Sequence, residues 1–238
     1  MTRRWRWTLG IAAVVLVAIG SLYLLSRDRC FQLVGDLVCR VETERKIVAL
    51  TFDDGPTPMG VDAVLPVLAR YDVKATFFLI GGLMEKHPGQ AERLLAAGHE
   101  LGNHTLTHEQ NVFRSQDFYR EEVLRTREIL AEAGSRTPLF RPPYGRKLLG
   151  LPMVVNEAGY TTIMWDVAER PGANPDPQDY AQDILERVRP GSIILIHPMY
   201  RANETARAAL PLILEGLQAR GYEVVTVSEL LALRETEG

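Results

Sequence analysis

The chain lacks most of the features that reveal function by composition alone. It has only two cysteines, Cys30 and Cys39, in 238 residues. Neither sign of charge dominates. The net charge of -3 leaves no basic footprint for nucleic acid and no acidic tail. There is no internal repeat and no low-complexity segment, which excludes repeat arrays and long disordered linkers. No Gly-x-Ser-x-Gly turn is present, so the usual signature of a serine-nucleophile hydrolase is missing. What is present is an apolar fraction of 46%, enough for a sizeable core, and a length that suits one domain plus appendages.

The one long hydrophobic run lies at the N-terminus. Trp7 to Leu25 is an uncharged stretch of roughly 19 residues, long enough to cross a bilayer as a helix. Arg3, Arg4 and Arg6 precede it, and Trp5, Trp7 and Tyr23 stand at interfacial positions. Two readings follow: an uncleaved signal anchor, or a cleavable signal peptide with Ala18-Ile19-Gly20 as its small-residue site. The apolar run continues past Gly20, which favours the anchor. Arg27, Arg29, Arg40 and Arg45 offset the basic tail, so charge alone does not orient the segment. Between Cys30 and Cys39 a Gly35-Asp36 turn suits a hairpin. Such a hairpin would bring the cysteines together, and a disulfide would imply an oxidising compartment. Two free buried thiols are the other reading.

Beyond residue 45 strand-like and helix-like runs alternate. Strands are expected at 46–53, 74–80, 99–103, 139–141, 161–165, 192–197 and 223–227. Helices are expected at 88–97, 116–133, 179–188 and 205–220. This alternation implies an α/β fold with a mainly parallel sheet, and about seven units suggest a closed or nearly closed (β/α) barrel.

Polar groups recur at the ends of these strands, where α/β folds build reaction sites. Thr51-Phe52-Asp53-Asp54-Gly55-Pro56 ends the first. Adjacent carboxylates repel, and a metal ion relieves that cost by taking one as ligand and leaving the other as a base. His104-Thr105-Leu106-Thr107-His108 follows the third strand. Histidines four apart face the same way on a helical turn and suit joint ligation of one ion. With Asp54 the set becomes His, His, Asp, which leaves coordination positions open for water and substrate. Arg141-Pro142-Pro143-Tyr144-Gly145 follows the fourth strand, and Leu195-Ile196-His197-Pro198 ends the sixth. Alone, each has a plainer reading as a rigid turn or a satisfied strand-end histidine. Their order along one barrel end is what points to a site.

Residues 51–56, 104–108, 141–144 and 195–197 resemble the first, second, third and fifth motifs of the polysaccharide deacetylases, carbohydrate esterase family four, also called the NodB-homology domain. The likeness covers residues 46–231. It implies a distorted (β/α) barrel and a divalent metal, most often zinc, with cobalt or nickel as alternatives. It also implies removal of acetyl groups, mainly N-acetyl, from a polysaccharide such as peptidoglycan, poly-N-acetylglucosamine or chitin oligomers. By position, Asp53 resembles the catalytic base, Asp54, His104 and His108 the metal ligands, and Arg141 the residue that holds the base. His197 resembles the general acid and Tyr144 an oxyanion donor through its backbone N–H. Leu195, Tyr144 and Trp165 are expected against substrate.

The fourth motif departs from the family, in which an aspartate tunes the acid histidine and a tryptophan lines the groove. Here the segment runs Met164-Trp165-Asp166-Val167-Ala168-Glu169-Arg170-Pro171-Gly172, and either Asp166 or Glu169 could partner His197. This departure keeps two alternatives open: a glycan-binding relative with impaired catalysis, and a hydrolase of another amide or ester on the same scaffold. The expected organisation is a tail and signal anchor at 1–28, a hairpin lead-in at 29–45 and the catalytic domain at 46–238. That makes a single-pass membrane protein, held through residues 7–25, with its catalytic domain on the periplasmic or extracellular side. Its expected partners are an acetylated polysaccharide and the membrane, without nucleic acid.

Overall fold

The computed structural model describes the backbone of residues 3–170 and 176–237 and the side chains of residues 10–170 and 176–234. The N-terminal apolar run forms α1 (Arg3–Leu25), along which Ile11, Val14, Leu16, Val17 and Leu24 are exposed. Among the described residues no helix is long and apolar enough to cross a membrane, so the span expected over residues 7–25 is not established by the fold. The side chains of Arg3, Arg4, Trp5, Arg6 and Trp7 lie outside the described residues.

The lead-in differs from the expected hairpin. Cys30 and Cys39 are disulfide-bonded, with Cα atoms 5.3 Å apart. The loop that they close holds a single two-residue strand, β1 (Leu37–Val38). Its backbone groups pair in parallel with residues 162 and 163 rather than back on residues 31–33. Val38 thereby gains a buried apolar face beside Ile163, whereas a lone two-stranded hairpin would have nothing to pack against.

The rest alternates in chain order: β2 (Ile47–Gly55), α2 (Pro58–Arg70), β3 (Thr76–Leu79), α3 (Gly81–Lys86), α4 (Gln90–Ala96), β4 (Glu100–Asn103), α5 (Gln116–Arg120), a π-helical turn (Glu121–Arg125), α6 (Thr126–Glu132), β5 (Leu139–Phe140), a 3-10 turn (Pro143–Gly145), α7 (Gly150–Glu157), β6 (Thr161–Ile163), β7 (Val167–Ala168), α8 (Pro177–Arg187), β8 (Ile193–Ile196), α9 (Glu204–Ala219), β9 (Glu223–Val225) and α10 (Val227–Glu237). All seven expected strands are present, and β1 and β7 add two short ones. The strand order is β1-β6-β5-β4-β3-β2-β8-β7, with β9 on the first residues of β2. The ladders between these strands are parallel.

The sheet curls on itself. Past β1 the chain reaches the start of β8, where Arg40 bridges Ser192 and the Val41 N–H donates to the Gly191 carbonyl at 3.0 Å. This contact gives the distorted barrel its closure. Both faces of the sheet are buried, as parallel sheets require. Along β2, Val48, Leu50 and Phe52 pack outward with Val61, Val64 and Leu68 of α2 and Leu210 and Ile213 of α9. Ala49 points inward with Phe78, Leu139, Ile163 and Ile193. Inward-pointing positions further along the same strands carry Thr51 and Asp53, so the barrel interior changes from apolar to polar towards the strand ends.

Candidate active site

Successive strand residues normally point to opposite faces, so Asp53 and Asp54 should not share a site. The register between β2 and β3 shifts between Phe52 and Gly55, and Asp54 takes φ 68°. This bulge re-aims the chain so that both carboxylates face His104, whose Nε2 lies 3.6 Å from Asp53 Oδ2 and 3.5 Å from Asp54 Oδ1. Asp53 is buried, and its Oδ1 accepts from Arg141 Nη1 at 2.8 Å.

Arg141 is itself fully buried. Its guanidinium also donates to Thr51 Oγ1 at 2.8 Å, to the Ile163 carbonyl at 3.0 Å and to the Met164 carbonyl at 3.1 Å. It lies 4.0 Å from the Phe78 ring centre and 5.6 Å from that of Trp165. Burial disfavours its charge, and Asp53 works against that loss.

The two histidines converge, but not on a helix. Residues 104–108 form a loop in which Thr105 has φ 67° and His108 φ 60°. The helical-turn expectation is therefore corrected: side-chain anchors bring the rings together instead of helical periodicity. Asn103 Oδ1 accepts the Thr105 N–H at 2.9 Å. Glu122, buried in the π-helical turn, accepts the N–H groups of Leu106 and Thr107 at 3.1 and 3.0 Å and the Thr107 hydroxyl at 2.7 Å. Left-handed backbone at Asp54, Thr105, His108 and Tyr144 concentrates conformational cost around one cavity, as functional sites commonly do.

His104 Nδ1–H donates to the Arg141 carbonyl at 2.7 Å, which turns Nε2 towards Asp54. That nitrogen lies 3.5 Å from Asp54 Oδ1, and His108 Nε2 lies 3.0 Å from the same oxygen. Apart from these two imidazole nitrogens, the buried Asp54 Oδ1 has no hydrogen-bond partner. One ligand atom from each of the three residues falls within 4.8 Å of the others. A buried orphan carboxylate oxygen facing imidazole nitrogens fits a divalent ion. Burial pushes Asp54 up, but hydrogen bonding and charge from His104 and His108 outweigh it and hold the carboxyl well below its usual range.

His197 stands just past β8, and its Nδ1 pairs with Glu169 Oε1. The two possible partners are thereby separated. Asp166 is engaged elsewhere, accepting from Ser192 Oγ and from the Ile193 N–H, both at 2.9 Å. Burial pushes His197 down, yet the bond and charge of Glu169, with Asp53 and Asp54 beyond, raise it to about 9. Pro171 and Gly172, aligned with the family's usual fourth motif, lie outside the described residues.

Tyr144 presents its ring to His108, centroids 4.7 Å apart. Leu195 is buried opposite Thr51 in the β2–β8 ladder, on the inward face. Trp165 sits against Arg141 and behind the 3-10 turn, where a Cβ on Gly145 would meet its ring at 3.0 Å. Two participants escaped the sequence reading. Glu122 shows no motif signal. Tyr200 lies near enough to Asp54 and Tyr144 that, after burial, their proximity pushes its phenol up. His99 is no ligand: its Nδ1 accepts the Ala75 N–H at 3.3 Å, and burial and then Lys74 push it down to about 4.

Comparison with known proteins agrees with this geometry. Residues 40–163 match the family model described as polysaccharide deacetylase. A peptidoglycan-N-acetylglucosamine deacetylase from Bacillus cereus is 35% identical over 199 residues, covering 83% of this chain and 93% of that protein. A chitooligosaccharide deacetylase from Bradyrhizobium is 33% identical over 196 residues, covering 77% of this chain and 90% of that protein. Among solved structures, a CE4 family pseudoenzyme from Bacillus anthracis superposes with a TM-score of 0.77 at 28% identity, covering 84% of this chain and 70% of that one. The chain belongs to the polysaccharide deacetylase family, and these relatives identify it as a polysaccharide deacetylase.

Proposed function

We propose that this protein hydrolyses the N-acetyl amides of a cell-envelope or exported polysaccharide, yielding acetate and a free amine. Peptidoglycan, poly-N-acetylglucosamine and chitin oligomers are the substrate candidates. The observation that carries the reading is the orphan Asp54 Oδ1 between two imidazole nitrogens, beside an Asp53 held by a buried arginine. Asp54, His104 and His108 hold a divalent cation, zinc first and cobalt or nickel next. When bound, that cation supplies Lewis acidity to the water and to the acetyl oxygen. Asp53 Oδ2, the oxygen that Arg141 leaves free, takes the proton from the attacking water. The backbone N–H of Tyr144 steadies the oxyanion. His197, kept protonated by Glu169, gives its proton to the departing nitrogen, because an amine anion is a very poor leaving group. Leu195, Tyr144 and Trp165 line the substrate path.

The Cys30–Cys39 disulfide supports an oxidising compartment. With the exposed apolar side chains of α1, it supports a periplasmic or extracellular catalytic domain held to the membrane through residues 7–25. The test is acetate release from acetylated glycans by the metal-loaded full chain, with and without chelator, beside Asp53→Asn. Chelator-sensitive release abolished by the substitution is expected. Zinc bound at one ion per chain without any release would favour a non-catalytic binding role.

A further inference from the structure

The segment Ser26-Arg27-Asp28-Arg29 precedes residue 40, where the match to the family begins. The fold nevertheless seats it on the rim of the site. The Lys147 N–H donates to the Ser26 carbonyl at 2.9 Å, and the ammonium of the buried Lys147 donates to the Asp28 carbonyl. Lys147 follows directly on the Tyr144–Gly145 turn that faces His108 and Trp165. This docking holds three guanidinium groups on two aromatic rings. Arg27 and Arg146 both lie on the Tyr23 ring, at 5.5 and 5.6 Å. Arg29 lies on the Trp165 ring at 5.4 Å, and the same ring touches Arg141, which holds Asp53.

None of the three pairs with a carboxylate among the described residues. The nearby Asp28 carboxylate is taken by the Cys30 N–H at 2.9 Å. Arg27 Nη1 donates to the Tyr23 hydroxyl at 3.0 Å, and a guanidinium held against a ring can still offer its remaining N–H groups to a carboxylate. Unpaired surface arginines are usually no more than solvated charge. These three differ in being oriented by rings and chain contacts, and Arg29 is joined to the catalytic carboxylate through Trp165 and Arg141.

We infer that Arg27, Arg29 and Arg146 form a basic lip that binds carboxylate groups of the glycan, making this an enzyme for an anionic polymer rather than a neutral one. The inference rests on the deacetylase reading proposed above. The lip supplies positive charge at the entrance and sets the register of the sugar units along the site.

The test uses the metal-loaded full chain and one carboxylated N-acetylated glycan in two forms, native and with its carboxylates converted to amides. Values of kcat/KM are compared at low and high ionic strength, with binding of both forms measured alongside. The native form is expected to be preferred about tenfold at low salt, as three modest exposed ion pairs compound, and the preference should shrink as salt rises. The triple variant R27Q/R29Q/R146Q should bring the ratio close to one. Arg136→Gln, at the opposite end of the strands, should leave it as in the wild type. Should the triple variant fold poorly, R29Q and R146Q singly should each lower the ratio, and the salt response of the wild type needs no substitution. Equal rates and equal binding of the two forms would overturn the lip, as would a triple variant that keeps the preference. So would a triple variant that loses binding to anionic phospholipid vesicles while its glycan preference stands, which would make the surface lipid-facing. If neither form releases acetate, the deacetylase reading fails, and the binding ratio still judges the lip.

Discussion

At the scale of single residues, Glu169 governs when His197 carries its proton. Burial opposes the charged ring, but Glu169, with Asp53 and Asp54, raises its pKa from 6.5 to about 9. A raised histidine pKa contributes stability that is complete below pH 6.5 and is lost as pH climbs through about 9. Stability from urea unfolding at constant metal load should therefore decline across that window, and Glu169→Gln should flatten the decline. In the same variant the alkaline limb of kcat/KM should move to lower pH, because the acid form of His197 is lost sooner. An unmoved limb would remove Glu169 from the proton chemistry. Glu122 acts one step further out. It holds the loop of His104 and His108 by three hydrogen bonds. Replacing it with alanine leaves the Leu106 and Thr107 N–H groups short of a partner. Metal affinity, read by competition with a chromophoric chelator, should fall about 10- to 100-fold, the usual effect of removing the support behind a ligand.

At the scale of elements, what the sequence made legible follows from periodicity. Six of the seven expected strands, of three to nine residues, left runs long enough to read, and the two-residue β5 was read from the Pro138 and Pro142 that bound it. β1 and β7, at two residues each, were not read. The hairpin expectation failed because the turn at Gly35 was a true signal with the wrong consequence: the chain turns and then pairs with β6. The paired histidines converge, with ring centroids 4.9 Å apart, but not on a helix, since four-residue spacing says nothing of the left-handed residues at 105 and 108. The sequence left the partner of His197 open between two acids; the fold decides it by engaging Asp166 at the base of β8. Barrel closure was equally hidden, since it depends on Gly191. That residue has φ 77°, and a Cβ there would meet the Val41 carbonyl oxygen at 1.7 Å. Gly191→Ala must either change conformation or push the β1 extension off β8. Denaturant unfolding should show a loss on the order of 3 kcal/mol. A loss of only a few tenths would mean that the Arg40–Ser192 closure contributes little.

At the scale of the whole molecule, the site ties together strands distant in sequence. Asp53 and Asp54 come from β2, the histidine pair follows β4, Arg141 follows β5, and His197 follows β8. An ion held by Asp54, His104 and His108 therefore binds only where β2 and β4 have come together through β3, and the unfolded chain presents no such set. Binding to the native state alone raises stability by mass action, about 2.7 kcal/mol at a hundredfold excess over Kd. Thermal unfolding of the full chain should thus shift upward with added zinc and return to the metal-free value with chelator. The double variant H104Q/H108Q should lose that response. Its metal-free midpoint should itself fall, because buried His104 loses its bond to the Arg141 carbonyl and Asp54 loses two imidazole neighbours, so the readout is the shift on adding zinc. A double variant that still gains stability from zinc would place the ion elsewhere and separate metal binding from the acetyl site. A wild type that does not respond, while active and chelator-sensitive, would mean that the three ligands are organised equally well in folded and unfolded chains. The contacts that build the histidine loop, from Asn103 to Glu122, argue against that outcome.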